Sequence, residues 1–281
     1  MRTPNDHVDL VRDAPSGIEA IRARFSAHAY DMHRHDEWLI GVKNFGVQEF
    51  TCRGVRCRST LGRVILIEPG EAHDGDAGSE EGFDYTMLYL PNQWLKSIVP
   101  SGIGSAWGFA ETLMADASLG GAIRETYDAL RAPSARLHRD ALLDKVVHLL
   151  LPHLGRAATR LKEGRAERVA RRARERLHDM VEDDIGADAL AIAAGAADRF
   201  QLARAFRTEY GASPHAYLVQ IRLIRARQLL AAGKTPVEAA AACGFADQSH
   251  LGRWFRRAFA LTPAAYREQC TGIPDGGRQI G

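Results

Sequence analysis

The chain has only four cysteines in 281 residues, Cys52, Cys57, Cys243 and Cys270. They are too few and too scattered to staple a small fold, and Cys52 and Cys57 lack the second pair that a four-thiolate zinc site needs. No apolar run reaches the roughly 18 residues of a membrane-crossing helix. The opening segment MRTPNDHVDLVRDAP has no apolar core of the kind a secretory leader carries. These absences lead us to expect a reduced, cytoplasmic protein with no membrane partner. A Ser/His/Asp set, a phosphate-binding glycine loop and a dinucleotide fingerprint are also missing. Catalysis therefore has little support, and no cofactor is expected.

Charge is present in ordinary amount but unevenly placed. Residues 1–155 carry 16 Lys and Arg against 21 Asp and Glu, whereas residues 156–270 carry 20 against 13. An acidic half joined to a basic half suggests a polyanion partner for the basic one. The length allows one or two domains, each able to bury a core.

From Arg34 to Pro91 short apolar or alternating runs, Glu37–Val42, Gln48–Cys52, Arg63–Glu68 and Tyr85–Leu90, are separated by Gly, Asp and Asn. Many short strands at close spacing predict a sandwich or small barrel. Residues 1–30 are mixed and weakly patterned. His33 and His35 share one face of an extended segment at period two. The stretch Glu68-Pro69-Gly70-Glu71-Ala72-His73 turns at Pro-Gly and presents His73 just beyond. This HxH followed by PGxxH resembles the paired motifs of the cupin barrel. In metal-dependent cupins such histidines bind a metal together with a carboxylate. Here Glu37 stands only two residues after His35, which departs from that pattern. No metal is therefore expected, although His33, His35 and His73 would be its ligands. The reading preferred here is a lining for a small polar ligand, His33, His35, Trp38, His73 and Tyr85. The stretch from Trp94 to Trp107 reads as a loop. Two amphipathic helices then follow, Leu119–Arg131 and Ala135–Leu154, with an apolar stripe in the second that suits core packing or a dimer contact.

The basic half contains a repeat. Gly195–Tyr217, GAADRFQLARAFRTEYGASPHAY, and Gly244–Tyr266, GFADQSHLGRWFRRAFALTPAAY, align without a gap at an offset of 49, with ten of 23 pairs identical. Each copy follows a short small-residue helix, breaks at a glycine, caps with Asp198 or Asp247, and continues as a helix. Leu202, Phe206 and Tyr210 in one copy, and Leu251, Phe255 and Phe259 in the other, form a buried stripe at spacing four. Arg204 and Arg253 fall about 200° round from the leucine and must face outward. A short helix, a glycine turn and a second helix with an exposed Arg/Gln face is helix-turn-helix grammar. The intervening helix, Pro214 to Ala232, spans close to 28 Å at roughly 1.5 Å per residue. That is near the roughly 34 Å between successive major-groove faces of duplex DNA.

Residues from about 168 to 267 resemble the AraC-type transcriptional regulators, most closely in AAACGFADQSHLGRWFRRAFALTPAAYR with SPHAYLVQIRLIRARQLLAAG before it. Residues 1–155 resemble that family's cupin-like sensor half. The resemblance implies an α+β protein of two domains, an N-terminal cupin-like β-barrel with following helices and a C-terminal all-α double helix-turn-helix. The expected division is 1–155 for effector binding and dimerisation, 156–167 as linker, 168–270 for DNA binding, and 271–281 as a flexible tail. It further implies double-stranded DNA read in the major groove, a small-molecule effector, RNA polymerase as a further partner, and a homodimer. The base-reading positions carried over are Arg199, Phe200, Ala203 and Arg204 in the first module and Gln248, Ser249, Gly252 and Arg253 in the second. Arg207, Arg256 and Arg257 share the polar side. The first turn, Gly195 to Asp198, is one residue longer than usual for the first module and matches the second instead. Ala260 stands where the first copy has Gly211, so a left-handed cap there would be mildly strained. Two rival readings stay open at this point, a metal-dependent cupin enzyme with a helical appendage and an architectural DNA binder whose barrel only dimerises.

Overall fold

The computed structural model describes residues 6–26, 29–99, 107–132, 135–156, 164–183 and 185–272. The expected flexible tail beyond 272, most of the expected linker, and Pro100, Gly102 and Gly104 lie outside the described residues. The chain divides into two compact units, 1–158 and 159–281. Among the described residues no helix is long and apolar enough to cross a membrane.

The first unit is strand-rich. A six-stranded antiparallel sheet runs in the order β1 (His7–Arg12), β2 (Glu19–Phe25), β9 (Phe83–Pro91), β4 (Glu37–Gly46), β7 (Arg63–Ile67), β11 (Leu113–Ala115). A four-stranded sheet runs β3 (Tyr30–His33), β8 (His73–Ala77), β5 (Gln48–Cys52), β6 (Val55–Ser59). A two-stranded ladder joins β10 (Trp107–Phe109) to β12 (Leu154–Arg156). β1 and β2 fall in the part of the sequence with the weakest patterning. Val8 and Leu10 do alternate inward, but over too few residues to stand out. The predicted loop after Trp94 is in part a helix, α1 (Asn92–Ile98), held by Leu95, which is fully buried.

Strand parity assigns the two faces of the large sheet. Trp38, Ile40 and Val42 on β4, Val64 and Leu66 on β7, and Leu88 and Leu90 on β9 point to one face. There they meet Leu119, Ala122, Ile123 and Tyr127 of α2 (Ala117–Arg131) and Leu143, Val146, Val147 and Leu150 of α3 (Arg136–Leu150) in one apolar core. Asp116 caps α2 by accepting from the Leu119 amide at 2.9 Å. The apolar stripe of α3 is therefore taken up by this core, while Leu137, in its first turn, stands exposed. Odd-numbered positions of β4 and β9 point the other way, into the barrel. Gly41 sits opposite Met87 there, and an added Cβ would come within 2.6 Å of the Met87 side chain.

The second unit is all helical in its described residues: α4 (Arg165–Asp179), α5 (Ala187–Ala194), α6 (Arg199–Tyr210), α7 (Pro214–Ala231), α8 (Pro236–Ala242), α9 (Gln248–Phe259) and α10 (Pro263–Thr271). Helix α4 begins three residues before the expected domain start at 168. The first half of α7, through Tyr217, Leu218 and Ile221, packs with Val169, Ala173 and Leu177 of α4 and with Leu202 and Phe206 of α6. The same helix also contacts α8, α9 and α10. Buried on nearly every side, α7 shows little amphipathic periodicity, as expected for a helix enclosed by its neighbours.

Candidate functional site

The two repeats fold alike. Gly195 and Gly244 both take left-handed backbone, with φ of 73° and 70°. Asp198 then accepts from the Gln201 amide, and Asp247 from the His250 amide, each at 2.6 Å. The helices that follow are 12 residues long in both copies. The longer first turn thus leaves α6 capped at the position equivalent to the cap of α9. Ala260 does take the left-handed cap expected of it, with φ of 54°.

In α6, Leu202, Ala205 and Phe206 are buried, while Arg199, Phe200, Arg204 and Arg207 are exposed and Ala203 is partly so. In α9, Leu251, Phe255 and Ala258 are buried, while Gln248, Ser249, Arg253, Arg256 and Arg257 are exposed and Gly252 is partly so. The eight positions carried over from the resemblance, and Arg207, Arg256 and Arg257 beside them, thus all lie away from the core. Among the described residues neither Arg204 nor Arg253 has an acidic partner at salt-bridge distance. Two of the others are engaged locally. The Arg199 guanidinium lies 5.1 Å over the Phe200 ring and 3.9 Å from Asp188, and Arg257 lies 5.3 Å over Trp254. Phe200 is 61% exposed.

The barrel interior holds a second candidate site. The antiparallel pairing of β3 with β8 sets His33 directly across from His73. His35 lies on the same face, its ring 4.9 Å from His33 and 5.3 Å from His73. All three are buried. One ring nitrogen from each lies within 4.8 Å of one from each of the others. Burial, and then the neighbouring His33, hold His73 well below the usual histidine range. Tyr30 continues the row from His33 toward Tyr85, whose hydroxyl it meets at 3.0 Å. Burial pushes the Tyr85 phenol up to about 12.

Trp38 does not join this lining. Within β4 it shares the face of Ile40 and Val42, opposite Leu39 and Gly41, and packs on Phe109 in the core beneath the helices. Its indole nitrogen donates to the Asn92 side chain at 3.1 Å. Lys43 is the residue missed in sequence. It shares the inward parity of Leu39 and Gly41, is fully buried, and donates to Gln48 at 2.6 Å. Its ammonium lies 4.5 Å over Phe83 and 5.1 Å over Tyr85. Desolvation lowers its pKa to about 7, although Asp84 opposes the shift.

The fold and these two sites define a two-domain DNA-binding regulator with a ligand-binding barrel. A family model for the AraC-like ligand binding domain matches residues 15–147, and one for a helix-turn-helix domain matches residues 190–269. The uncharacterized HTH-type transcriptional regulator YbfI of Bacillus subtilis is 24% identical over 238 residues, covering 84% of this chain and 86% of that protein. The crystal structure of unsaturated fatty acid bound ToxT from Vibrio cholerae is similar in fold at 15% identity, with a TM-score of 0.53, over 98% of this chain and 99% of that chain. An AraC-type transcriptional regulator from Chromobacterium violaceum is 33% identical over 37% of this chain and 92% of that chain, with a TM-score of 0.35. The chain belongs to the AraC family of transcriptional regulators, with a cupin-like ligand-binding domain ahead of its helix-turn-helix domain.

Proposed function

We propose that α6 and α9 enter successive major-groove segments of one DNA site, and that an effector in the barrel sets how readily they do so. The base-reading residues in this reading are Arg199, Phe200, Ala203 and Arg204 from α6, and Gln248, Ser249, Gly252 and Arg253 from α9. Arg207, Arg256 and Arg257 flank them toward phosphate. The observation that carries the reading is a pair of outward arginines, Arg204 and Arg253, at equivalent positions of two equally capped helices. Neither has an acidic partner among the described residues. Arginine can bond guanine O6 and N7 together, and glutamine can bond adenine. Ala203 and Gly252 bring no side-chain donor, so they would admit the backbone closely rather than select a base.

In the barrel, His33, His35, His73 and Tyr85 form the effector lining, extended by Tyr30 and Lys43. Trp38 is left out of it. ToxT was crystallised with an unsaturated fatty acid. Acids of that class therefore belong in an effector screen here, where Lys43 stands over an aromatic row. We read the barrel as sensing rather than turning over its ligand, the chain as cytoplasmic and homodimeric, and RNA polymerase as a downstream partner. The domain limits in this reading are 1–155 and 168–270, with 156–167 between them.

The test is affinity of the full chain for a DNA site that it selects. Arg204→Ala and Arg253→Ala should each weaken binding by roughly 1–3 kcal/mol. Unchanged specific affinity in both variants would sink the mechanism. A thermal-shift screen of the chain against metabolites tests the barrel, with Trp38→Phe expected to leave any shift in place.

A further inference from the structure

We infer that Arg222 is a positioning residue for DNA reading. It holds the turn of the second helix-turn-helix module against the loop that leads into the first. In doing so it fixes the base-pair spacing at which α6 and α9 can be seated together. The inference rests on the two-module reading above and adds what keeps the modules in register.

Arg222 stands midway along α7, the helix between the modules. Its Nε donates to the Val181 carbonyl at 2.8 Å, and an Nη donates to the Asp183 carbonyl at 2.9 Å. Both carbonyls belong to the loop between α4 and α5. That loop follows the C-terminus of α4, where the helix dipole favours a cation. The planar guanidinium serves two acceptors at once in a fixed fork, which an ammonium does not reproduce.

The second module reaches the same loop through Gly244. A Cβ on Gly244 would stand 2.7 Å from the Glu182 carbonyl oxygen and 2.8 Å from the Arg222 guanidinium. No real side chain tolerates either distance, so the approach depends on glycine. Gly195, in the equivalent turn of the first module, has the same left-handed backbone, yet its Cβ would meet only an Arg172 nitrogen, at 3.3 Å. The two turns are alike in backbone and unlike in packing. Beside this seam Arg225 pairs with the Glu182 side chain.

Helix α9 begins four residues after Gly244, behind its Asp247 cap. A turn packed this closely leaves α9 little freedom to swing about α7. Two binding elements held in one geometry gain affinity for the matching spacing and lose it for others, whereas a loose pair tolerates several spacings and binds the best one less well. One inserted base pair turns the second half of a DNA site by about 35° and moves it about 3.4 Å, which a fixed pair cannot follow.

The test uses the full chain on a duplex that it selects, and on the same duplex with one base pair inserted between the two halves. The readout is the ratio of the two affinities. A variant that merely folds less well loses active protein equally for both duplexes, and that loss cancels in the ratio. The wild-type chain should lose at least about tenfold on insertion. In Arg222→Ala the loss should shrink to about threefold or less, with base preference inside each half unchanged. Gly244→Ala should shrink it likewise, whereas Gly195→Ala, which carries the same backbone strain without the contact, should keep the wild-type ratio. Arg222→Lys reaches only one of the two carbonyls and should fall between wild type and Arg222→Ala, so it carries the test if the alanine chain does not fold. A wild-type ratio retained in Arg222→Ala and Gly244→Ala, or in Arg222→Lys where those chains do not fold, would overturn the inference and leave the two-module reading standing. So would a ratio that shrinks equally in Gly195→Ala. A wild-type chain indifferent to the insertion would overturn both.

Discussion

Lys43 gives the N-terminal domain a pH dependence that its surface charges do not. Its ammonium titrates at about 7 in the folded chain, against an ordinary 10.5. Between those values the unfolded chain holds a proton that the folded chain does not, so stability rises with pH. Cys52 and Cys243, pushed up to about 11 by burial, reverse the trend above their ordinary 9.0. His73 adds an acid limb. As pH falls through 6.5, the unfolded chain takes up a proton that the buried ring refuses, and stability drops. Melting temperature should therefore climb from pH 5 to about pH 9. Lys43→Met should flatten the climb above pH 7, an effect on the order of a few kcal/mol. A wild-type chain whose melting is level between pH 7 and 9 would show that Lys43 keeps its ordinary proton. At the same scale, Gly252 has open space where a Cβ would stand, in the interior of α9. Gly252→Ala should stabilise the chain by about 0.8–1 kcal/mol in chemical denaturation. DNA affinity should be retained, because the equivalent position in α6 is already Ala203.

The helices of the C-terminal domain were legible element by element because their signals are local. A glycine break, an aspartate cap and a spacing of four recur in both copies, and each is decided by residues a turn apart. Removing either cap, by Asp198→Ala or Asp247→Ala, should cost roughly 1 kcal/mol of thermal stability. A loss well below that in both would mean that the caps do not hold these turns. The barrel strands were less legible. β6 and β8 carry mostly polar residues, VRCRS and HDGDA, and owe their existence to partners far away in sequence. The histidine cluster was half visible. Period two put His33 and His35 on one face, but only the pairing of β3 with β8 sets His73 opposite. Trp38 was misplaced because its face is set within β4, and residues 34–36, which lie in neither β3 nor β4, break any count from the histidines. In α3 the buried positions are Leu143, Val146, Val147 and Leu150, so Val146→Ala should cost about 1–3 kcal/mol by opening the core under the sheet.

For the whole molecule, the central claim is that one chain reads two different short sequences in tandem. The modules share caps, helix length and buried stripe, yet their outward faces differ. Arg199 and Phe200 in α6 stand where α9 has Gln248 and Ser249. The exposed Phe200 ring suits a thymine methyl, whereas Gln248 suits adenine. A basic domain of this kind binds any duplex weakly through phosphate, so bare affinity is a poor discriminator. Sequence selection from a random duplex pool, run on the full chain and on Arg204→Ala and Arg253→Ala, addresses the claim most directly. We predict an asymmetric site, with Arg204→Ala relaxing preference in one half and Arg253→Ala in the other. Identical preferences in all three proteins, or a symmetric site relaxed equally by either change, would contradict it.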